Sequence, residues 1–523
     1  MTPASVLPLR LLRRLCTAAE MRKMDSHTIE TLGVPGQVLM EDAAHQVAAE
    51  VQRLLRGLDR AGPIAVCCGA GNNGGDGYAA ARLLRNAGLP ALVIRSGEAG
   101  TADARANARA WSRFGPLLDF DTQAAEAENA LRGSAAIVDA VFGTGLARPI
   151  EGPALELIAR MNASPAPVKV AVDVPSGVNA DTGAVLGAAV RCTHTVCFQV
   201  GKIGLYQYPG AEFAGRVRVV PVSIQPRWPE GAPGVYRLTR AFARALLPAR
   251  PAAGHKGTFG HLLAICGSAG MAGAALLCGL AALKSGAGLV TLAVPRALRD
   301  GFLAAAPELM TLAPSEGGAD HFEAAHAEAL AGEAQARGAV VLGCGLGRAP
   351  QTAAFVKALV PRLAGPLLVD ADGLFHLDPE LLRGRAQPAI LTPHPGELSR
   401  LSGVGREQLA EDRVGHARRW AAQWGVVLVL KGAGTVVAAP TGEAFINPTG
   451  DAGLATGGTG DVLSGLIGSL LAQGLEPLAA ALLGVYLHGL ARDGRRAELT
   501  GAAFTAMDLV RGLNTALHNL GER

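Results

Sequence analysis

The stretch NPTGDAGLATGGTGDVLSGLIGSLLAQG, Asn447 to Gly474, decides how the second half of this 523-residue chain is read. It holds two Gly-Asp pairs, and the second heads an apolar run. A glycine-rich loop feeding a helix turns backbone amides toward the positive helix end, where an anion binds. Read so, the amides of Gly457 to Gly460 converge on one point, a hole suited to a transferring phosphoryl group. Asp461 stands at its edge. A carboxylate beside a phosphate is repulsive in the ground state, so its use is chemical: it takes a proton from a hydroxyl that attacks the phosphate. An aspartate that only caps a helix is the bland alternative, but a cap does not need so many glycines. No G-x-x-x-x-G-K-[ST] occurs, so this is not a Walker loop.

Working outward, the runs HLLAICGS, GLVTLAVP, AVVLGCGLG, GPLLVDADG, PAILTPHPGE and VVLVLKGAGTVV read as strands, most of them entering a Gly- or Pro-rich turn. The first half repeats this grammar with GPIAVCCG, ALVIR, AAIVDAVFG and VKVAVDVPSG. Helical stretches lie between. PGQVLMEDAAHQVAAEVQRLLRGL reads as an amphipathic helix closed near Gly57. Strand–helix alternation with fully apolar strands predicts parallel sheets covered on both faces. The Pro/Gly-rich QPRWPEGAPG, Gln225 to Gly234, is the clearest seam. The expected organisation is two unlike α/β domains, residues 15–224 and 235–520, with no fixed-period repeat.

Composition agrees. The chain is 49% hydrophobic and 18% charged, which excludes a disordered polymer. The net charge of +4 comes from scattered basic residues, so nucleic acid is not an expected partner. The 8 cysteines sit mostly in apolar runs with no C-x-x-C pair and no secretory signal. Buried thiols in a reducing cytoplasm are expected rather than disulfides or zinc. The longest apolar stretches are broken by Lys284, or by Gly474 and Glu476, so no membrane span is expected. MTPASVLPLRLLRRL reads as an N-terminal extension and not as a transit peptide.

In the first half, CGAGNNGGDGYAAARLL runs strand, loop, helix. Its glycines admit close approach of a ligand, and Asn72, Asn73 and Asp76 add polar groups a plain turn does not need. Two more strand ends carry polar tips: Asp139 before the loop Gly143 to Pro149, and Asp173 with Ser176 in VDVPSGVNADTG. In open parallel sheets ligands bind outside such ends, whereas an isolated Asp there is often a turn residue. GNNGGDG, VFGTG and VDVPSGVNADTG, in this order, resemble the YjeF N-terminal family, the NAD(P)H-hydrate epimerases. The resemblance implies a Rossmann-like three-layer α/β/α domain that binds hydrated NAD(P)H, with a potassium ion nearby. It would assign Asn72, Asn73, Gly74, Gly75, Asp76, Gly143, Thr144, Gly145, Leu146, Ala147, Arg148, Pro149 and Asp173 to the substrate, with Asp173 as acid/base. Asn73, Asp139 and Ser176 would hold potassium; their hard oxygens suit an alkali cation. LMEDAA departs from the family's MENAG at Asp42 and Ala44.

In the second half, HKGTFG, GSAGMAGAA, GCGLG, VDADGL, TPHPGEL, KGAGT and GGTGD follow one another in the order of the ADP- or ATP-dependent NAD(P)H-hydrate dehydratases, within the ribokinase-like superfamily. That resemblance implies a ribokinase-like α/β/α domain. Asp461 would deprotonate the hydroxyl of the hydrated nicotinamide, a nucleotide with Mg²⁺ would phosphorylate the oxygen, and phosphate would leave. Lys431, Gly432, Ala433, Gly434, Thr435 and Gly460 would hold ADP. Ala272, Gly345 and His394 would touch the dinucleotide, though a lone histidine is more often structural. Asp451 and Leu454 stand where Asn and Met are usual. Together the halves imply repair of both epimers of NADHX and NADPHX by a homo-oligomer, without a channel. The apolar helix at Val38 to Leu55 packs either on a partner or on its own sheet. Two other readings stand beside this one. A small-molecule kinase would leave a stable phosphorylated product. A scaffolding N-terminal half, as in mRNA-decapping relatives, would lack the polar tips of the GNNGGDG loop.

Overall fold

The computed structural model describes residues 7–56, 62–314 and 320–521. It divides into two units, Arg14–Ala232 and Pro233 onward, the latter together with the residues before Arg14. The expected helix stop near Gly57 lies outside the described residues.

The first unit has strands β1 (Ile64–Cys68), β2 (Ala91–Arg95), β3 (Leu117–Asp119), β4 (Ala136–Ala140), β5 (Val168–Val172), β6 (His194–Phe198) and β7 (Arg216–Val220). They form a parallel sheet in the order β3-β2-β1-β4-β5-β6-β7. Strand residues alternate between faces, and here both faces are apolar. Ile64, Val66, Cys68, Val138 and Val170 pack under the Gly36–Leu55 and Asn72–Asn86 helices; Ala65, Cys67, Ile137 and Ala171 pack on the Ala124–Gly133 and Pro153–Ala163 helices. This is the three-layer arrangement, and it explains why the strands read as unbroken apolar runs. The Gly36–Leu55 helix lays Ala43, Ala44, Val47, Ala48 and Val51 on its own sheet. Strand order reverses between β1 and β4, so the loops that leave them diverge and open a crevice.

In the second unit, β8 (Val235–Arg237), β9 (His261–Ile265), β10 (Leu289–Ala293), β11 (Met310–Leu312), β12 (Ala339–Leu342), β13 (Leu367–Val369), β14 (Ile390–Leu391), β15 (Val427–Leu430), β16 (Val436–Ala438) and β17 (Ala444–Ile446) share one sheet. The order is β8-β17-β16-β15-β14-β13-β12-β9-β10-β11, with its switch between β9 and β12. Most pairs are parallel, but β15–β16 and β16–β17 are antiparallel. VVLVLKGAGTVV is therefore a hairpin whose turn is the KGAGT segment, with Gly432 and Gly434 at positive φ. The Thr459–Ala472 helix is buried from Val462 to Ala472, as an apolar helix must be. It crosses the Ala272–Lys284 helix so closely that a Cβ on Gly465 would lie 2.0 Å from the Cys278 carbonyl oxygen. Among the described residues no helix is long and apolar enough to cross a membrane.

Two candidate active sites at strand ends

The crevice of the first unit is a cavity of about 610 Å³. Asn72, Asn73 and Asp76 reach it from the first turns of the Asn72–Asn86 helix that follows β1, Gly143 to Arg148 from the loop after β4, and Asp173 from the end of β5. Lys202 lines it as well. Asp173 sits at φ +64°, a backbone conformation that costs a non-glycine residue energy and tends to mark functional positions. Its Oδ1 accepts from the Phe198 amide (2.9 Å) and from the fully buried Lys202 ammonium, which also donates to the Phe198 carbonyl (2.9 Å). Burial opposes the Lys202 charge, but the Asp173 carboxylate, together with the nearby Cys197 and Cys16, holds the ammonium above its ordinary range. Among the described residues Asp76 has no such partner. Burial, then the charges of Asp173 and Asp25, push its carboxyl well above the usual range. The cavity thus holds one carboxylate fixed on a cation and one whose carboxyl is raised by burial and by the acidic charges around it.

Asp139 is fully buried behind the cavity. It accepts from the Ser176 hydroxyl (2.5 Å), the Ser176 amide (2.7 Å) and the Val141 amide (3.4 Å). Burial raises it to about 6 against these three bonds. Ser176 Oγ accepts in turn from Phe142 N (2.8 Å). Asn73 packs against Gly143, and among the described residues its buried Nδ2 has no hydrogen-bond partner.

In the second unit Asp461 lies in the first turn of the Thr459–Ala472 helix. The first helical bond runs from Val462 N to Gly458 O (3.1 Å), so the amides of Thr459, Gly460 and Asp461 precede the ladder. The same helical face carries Gly460 and Ser464. Ser464 Oγ donates to Asp370 Oδ2 (2.7 Å), and Lys431 Nζ donates to Asp370 Oδ1 (2.7 Å). Gly460 faces this pair: a Cβ there would be 3.5 Å from Lys431 Nζ. Glu397 approaches Lys431 at 3.7 Å. Burial and then the Asp370 charge raise Asp461 to about 6, while a hydrogen bond from Cys344 and the Lys431 charge oppose the rise. A carboxylate near 6 is ionised at neutral pH yet basic enough to accept a proton in a reaction.

The chain has relatives of known name along both halves. A family model described as YjeF-related protein N-terminus matches residues 36–204, and one described as NAD(P)H-hydrate dehydratase matches 262–513. The bifunctional NAD(P)H-hydrate repair enzyme Nnr of Moorella thermoacetica is 40% identical over 516 residues, which cover 97% of each chain. The enzyme of the same name from Escherichia coli K12 is 35% identical over 454 residues, 85% of this chain and 83% of that one. This chain belongs to the bifunctional NAD(P)H-hydrate repair enzymes. Among solved structures, the ADP/ATP-dependent NAD(P)H-hydrate dehydratase of Bacillus subtilis, co-crystallised with ATP/Mg²⁺, is 34% identical. It matches 54% of this chain and 97% of its own, with a TM-score of 0.48.

Within this repair enzyme the expected residues divide by position. Asn72, Asn73, Asp76, the Gly143–Arg148 loop and Asp173 line the cavity; Pro149 does not, and Asp139 and Ser176 lie behind it. Gly74 and Gly75 are buried and serve packing: a Cβ on Gly74 would stand 1.9 Å from the Gly69 carbonyl oxygen. In the second unit Lys431, Gly460 and Asp461 meet beside Asp370. Ala272 opens its helix next to Gly345, where a Cβ would lie 2.7 Å from Met271 O. His394 caps the Pro395–Ser402 helix, its Nδ1 accepting from Gly396 N (3.0 Å) and Glu397 N (3.2 Å). That leaves Nε2 to carry the proton of the neutral ring. Asp42 accepts from the Ser223 hydroxyl and amide and does not line the cavity. Asp451 binds Arg492 (2.8 Å) and Arg496 (2.9 Å), so the carboxylate in place of Asn has two cations to meet it. Lys202 and Asp370 are the functional candidates the sequence did not single out.

Proposed function

We propose that the first unit epimerises R- and S-NAD(P)HX and the second dehydrates the S form at the expense of ADP or ATP. The domain limits taken are 15–224 and 235–520. The observation that carries this is the pairing, on one chain of this family, of a cavity holding Asp173 on Lys202 with a helix N-terminus holding Asp461 beside Lys431. In the second site ionised Asp461 removes the proton of the ring hydroxyl. That oxygen attacks the terminal phosphorus of the nucleotide, and the bond from phosphorus to the bridging oxygen breaks. The ring then expels phosphate with its C–O bond and loses a neighbouring proton. Hydrate plus ADP gives NAD(P)H, AMP and phosphate. The Gly432–Thr435 turn and Gly460 hold the nucleotide. Ala272, Gly345 and His394 contact the dinucleotide, and in the first site Asn72, Asn73, Asp76 and Gly143 to Arg148 do so. Asp370 and Glu397 offer hard oxygens beside Lys431, the one or two carboxylates that Mg²⁺ takes when phosphates and water complete its shell. Bound Mg²⁺ would neutralise charge on the phosphates.

Potassium fits Asn73, Asp139 and Ser176. A half-turn of the Asn73 amide exchanges its unpaired buried N–H for an oxygen, and the buried Asp139 carboxylate has hydroxyl and amide donors but no cation beside it. Eight free, buried cysteines suit a reducing cytoplasm. A homo-oligomer is also part of this reading, with the partly exposed Val38 outside the helix's packed stripe.

The test follows the near-ultraviolet absorbance of reduced nicotinamide. Protein receives both NADHX epimers with Mg²⁺ and ADP, ATP or neither. Nucleotide-dependent recovery of nearly all the NADH is expected, falling to the S fraction in Asp173→Ala. No recovery with either nucleotide, or a stable phosphorylated product, would favour the kinase reading instead.

A further inference from the structure

Arg413 opens the Arg413–Trp424 helix, is 9% exposed, and does not point at solvent. Its guanidinium is spent on the KGAGT turn. Nη1 donates to the Ala433 carbonyl, and Nη2 to the carbonyls of Lys431 (3.2 Å) and Leu430 (3.4 Å). Gly432 wraps it at φ +132°, where a Cβ would come 3.1 Å from Nη2. Among the described residues no carboxylate pairs with this cation, and burial alone shifts it, down to about 10, so it stays charged at neutral pH.

A trans peptide sets each carbonyl opposite the next residue's N–H. Three carbonyls drawn onto one guanidinium therefore turn the N–H groups of Lys431, Gly432 and Gly434 the other way. The first of these donates to Pro393 O (2.9 Å), on the far side of the turn. The turn is closed by Thr435 Oγ1 donating to Gly432 O (2.9 Å). A buried cation without a counter-charge is costly, and an anion seated on the outward Gly432 amide would relieve it.

We infer that Arg413 is the positioning residue of the nucleotide turn: it pins the turn from behind, aims the Gly432 amide at the nucleotide phosphates, and supplies an unpaired positive charge that those phosphates offset. This rests on the reading of Lys431 to Thr435 as the nucleotide turn. A lysine could keep the charge but could not span three carbonyls in the plane of a fork.

The test uses the full chain and titrates Mg-ADP by calorimetry, with nucleotide KM and kcat measured in parallel. Arg413→Met should weaken Mg-ADP binding by about tenfold or more, the effect of losing charge-assisted bonds. KM for the nucleotide should rise more than kcat falls, and epimerisation should continue unchanged. Arg413→Lys should recover only part of the affinity. Arg413→Ala should regain affinity in added guanidinium below denaturing concentration. Unchanged affinity in Arg413→Met overturns the inference. In that event a Gly434→Val variant separates causes: if it loses affinity the turn does hold the nucleotide, and if it does not the nucleotide reading of the turn falls too. Loss of affinity in Arg413→Ala with a lowered unfolding midpoint and no guanidinium response would make Arg413 a brace of the fold only, which also overturns the inference.

Discussion

Asp461 is the residue on which the second reaction turns, and its surroundings set a pH window. Burial and the Asp370 charge lift it to about 6. A general base works when ionised, so its function is full above that value and is lost as pH falls through it. kcat/KM for dehydration should therefore show an acid limb near pH 6 in a pH–rate profile. Asp461→Asn should lose that limb along with roughly 10²–10⁴ of the rate, a typical general-base effect, while still binding Mg-ADP. A limb near 4 in kcat/KM would mean that burial and Asp370 do not lift Asp461 in the free enzyme. The aspartate was legible in the sequence because glycines crowd it at the head of an apolar run. Its partners were not. Asp370 stood in a quoted motif without a role, and Lys202 follows Asp173 by 29 residues, reaching it only because β5 and β6 are neighbours in the sheet. Pairing across strands is a property of topology, and one-dimensional spacing does not contain it. Arg413 was hidden for a related reason: it sits at the head of an ordinary amphipathic helix and acts on a turn that follows β15.

At the scale of elements, apolar strands and glycine-ended helices were readable because each obeys a local period. What glycine does in them was not. The glycines of GNNGGDG were expected to admit a ligand, but Gly74 admits the chain's own backbone. The same holds for Gly465, which lets the helix that carries Asp461 approach the Ala272–Lys284 helix at the Cys278 carbonyl. A methyl group there has no room on either side, and backbone cannot yield as a side-chain tip can. Gly465→Ala should cost the second unit roughly 3 kcal/mol, at the upper end for overpacking, read as a lower denaturant midpoint at unchanged slope. Since the two helices carry Ala272 and Asp461, dehydration should fall as well, whereas epimerisation should not. A midpoint within experimental scatter of the parent would show that the crossing is loose enough to spread, and that its closeness is not what aims Asp461.

At the scale of the molecule, both units put their sites at the carboxyl ends of strands in a sheet whose order reverses: in the first, the segments that leave β1 and β4 line the crevice, and in the second, Asp370 follows β13 and Lys431 follows β15 beside the helix that carries Asp461. Each site is built wholly from its own unit. Asp173 and Lys202 both belong to Arg14–Ala232; Asp461, Asp370 and Lys431 all belong to Pro233 onward. Nothing in either constellation needs the other, so the epimer produced in one can reach the other through solvent. Two single variants should then complement in a mixture. Asp173→Ala alone should convert the S fraction of an NADHX mixture and slow to the spontaneous rate of epimerisation. Asp461→Asn alone should convert almost none over the same time. Mixed, at parent concentrations of each intact site, they should restore recovery of reduced nicotinamide at the parent rate. The comparison is sharpest at low protein concentration, where a released epimer spends longest in solution. If the parent outruns the mixture there by a widening factor as protein is diluted, the epimer passes between sites on one chain without equilibrating with solvent, and the fusion of the two units has a kinetic purpose beyond holding two independent catalysts together.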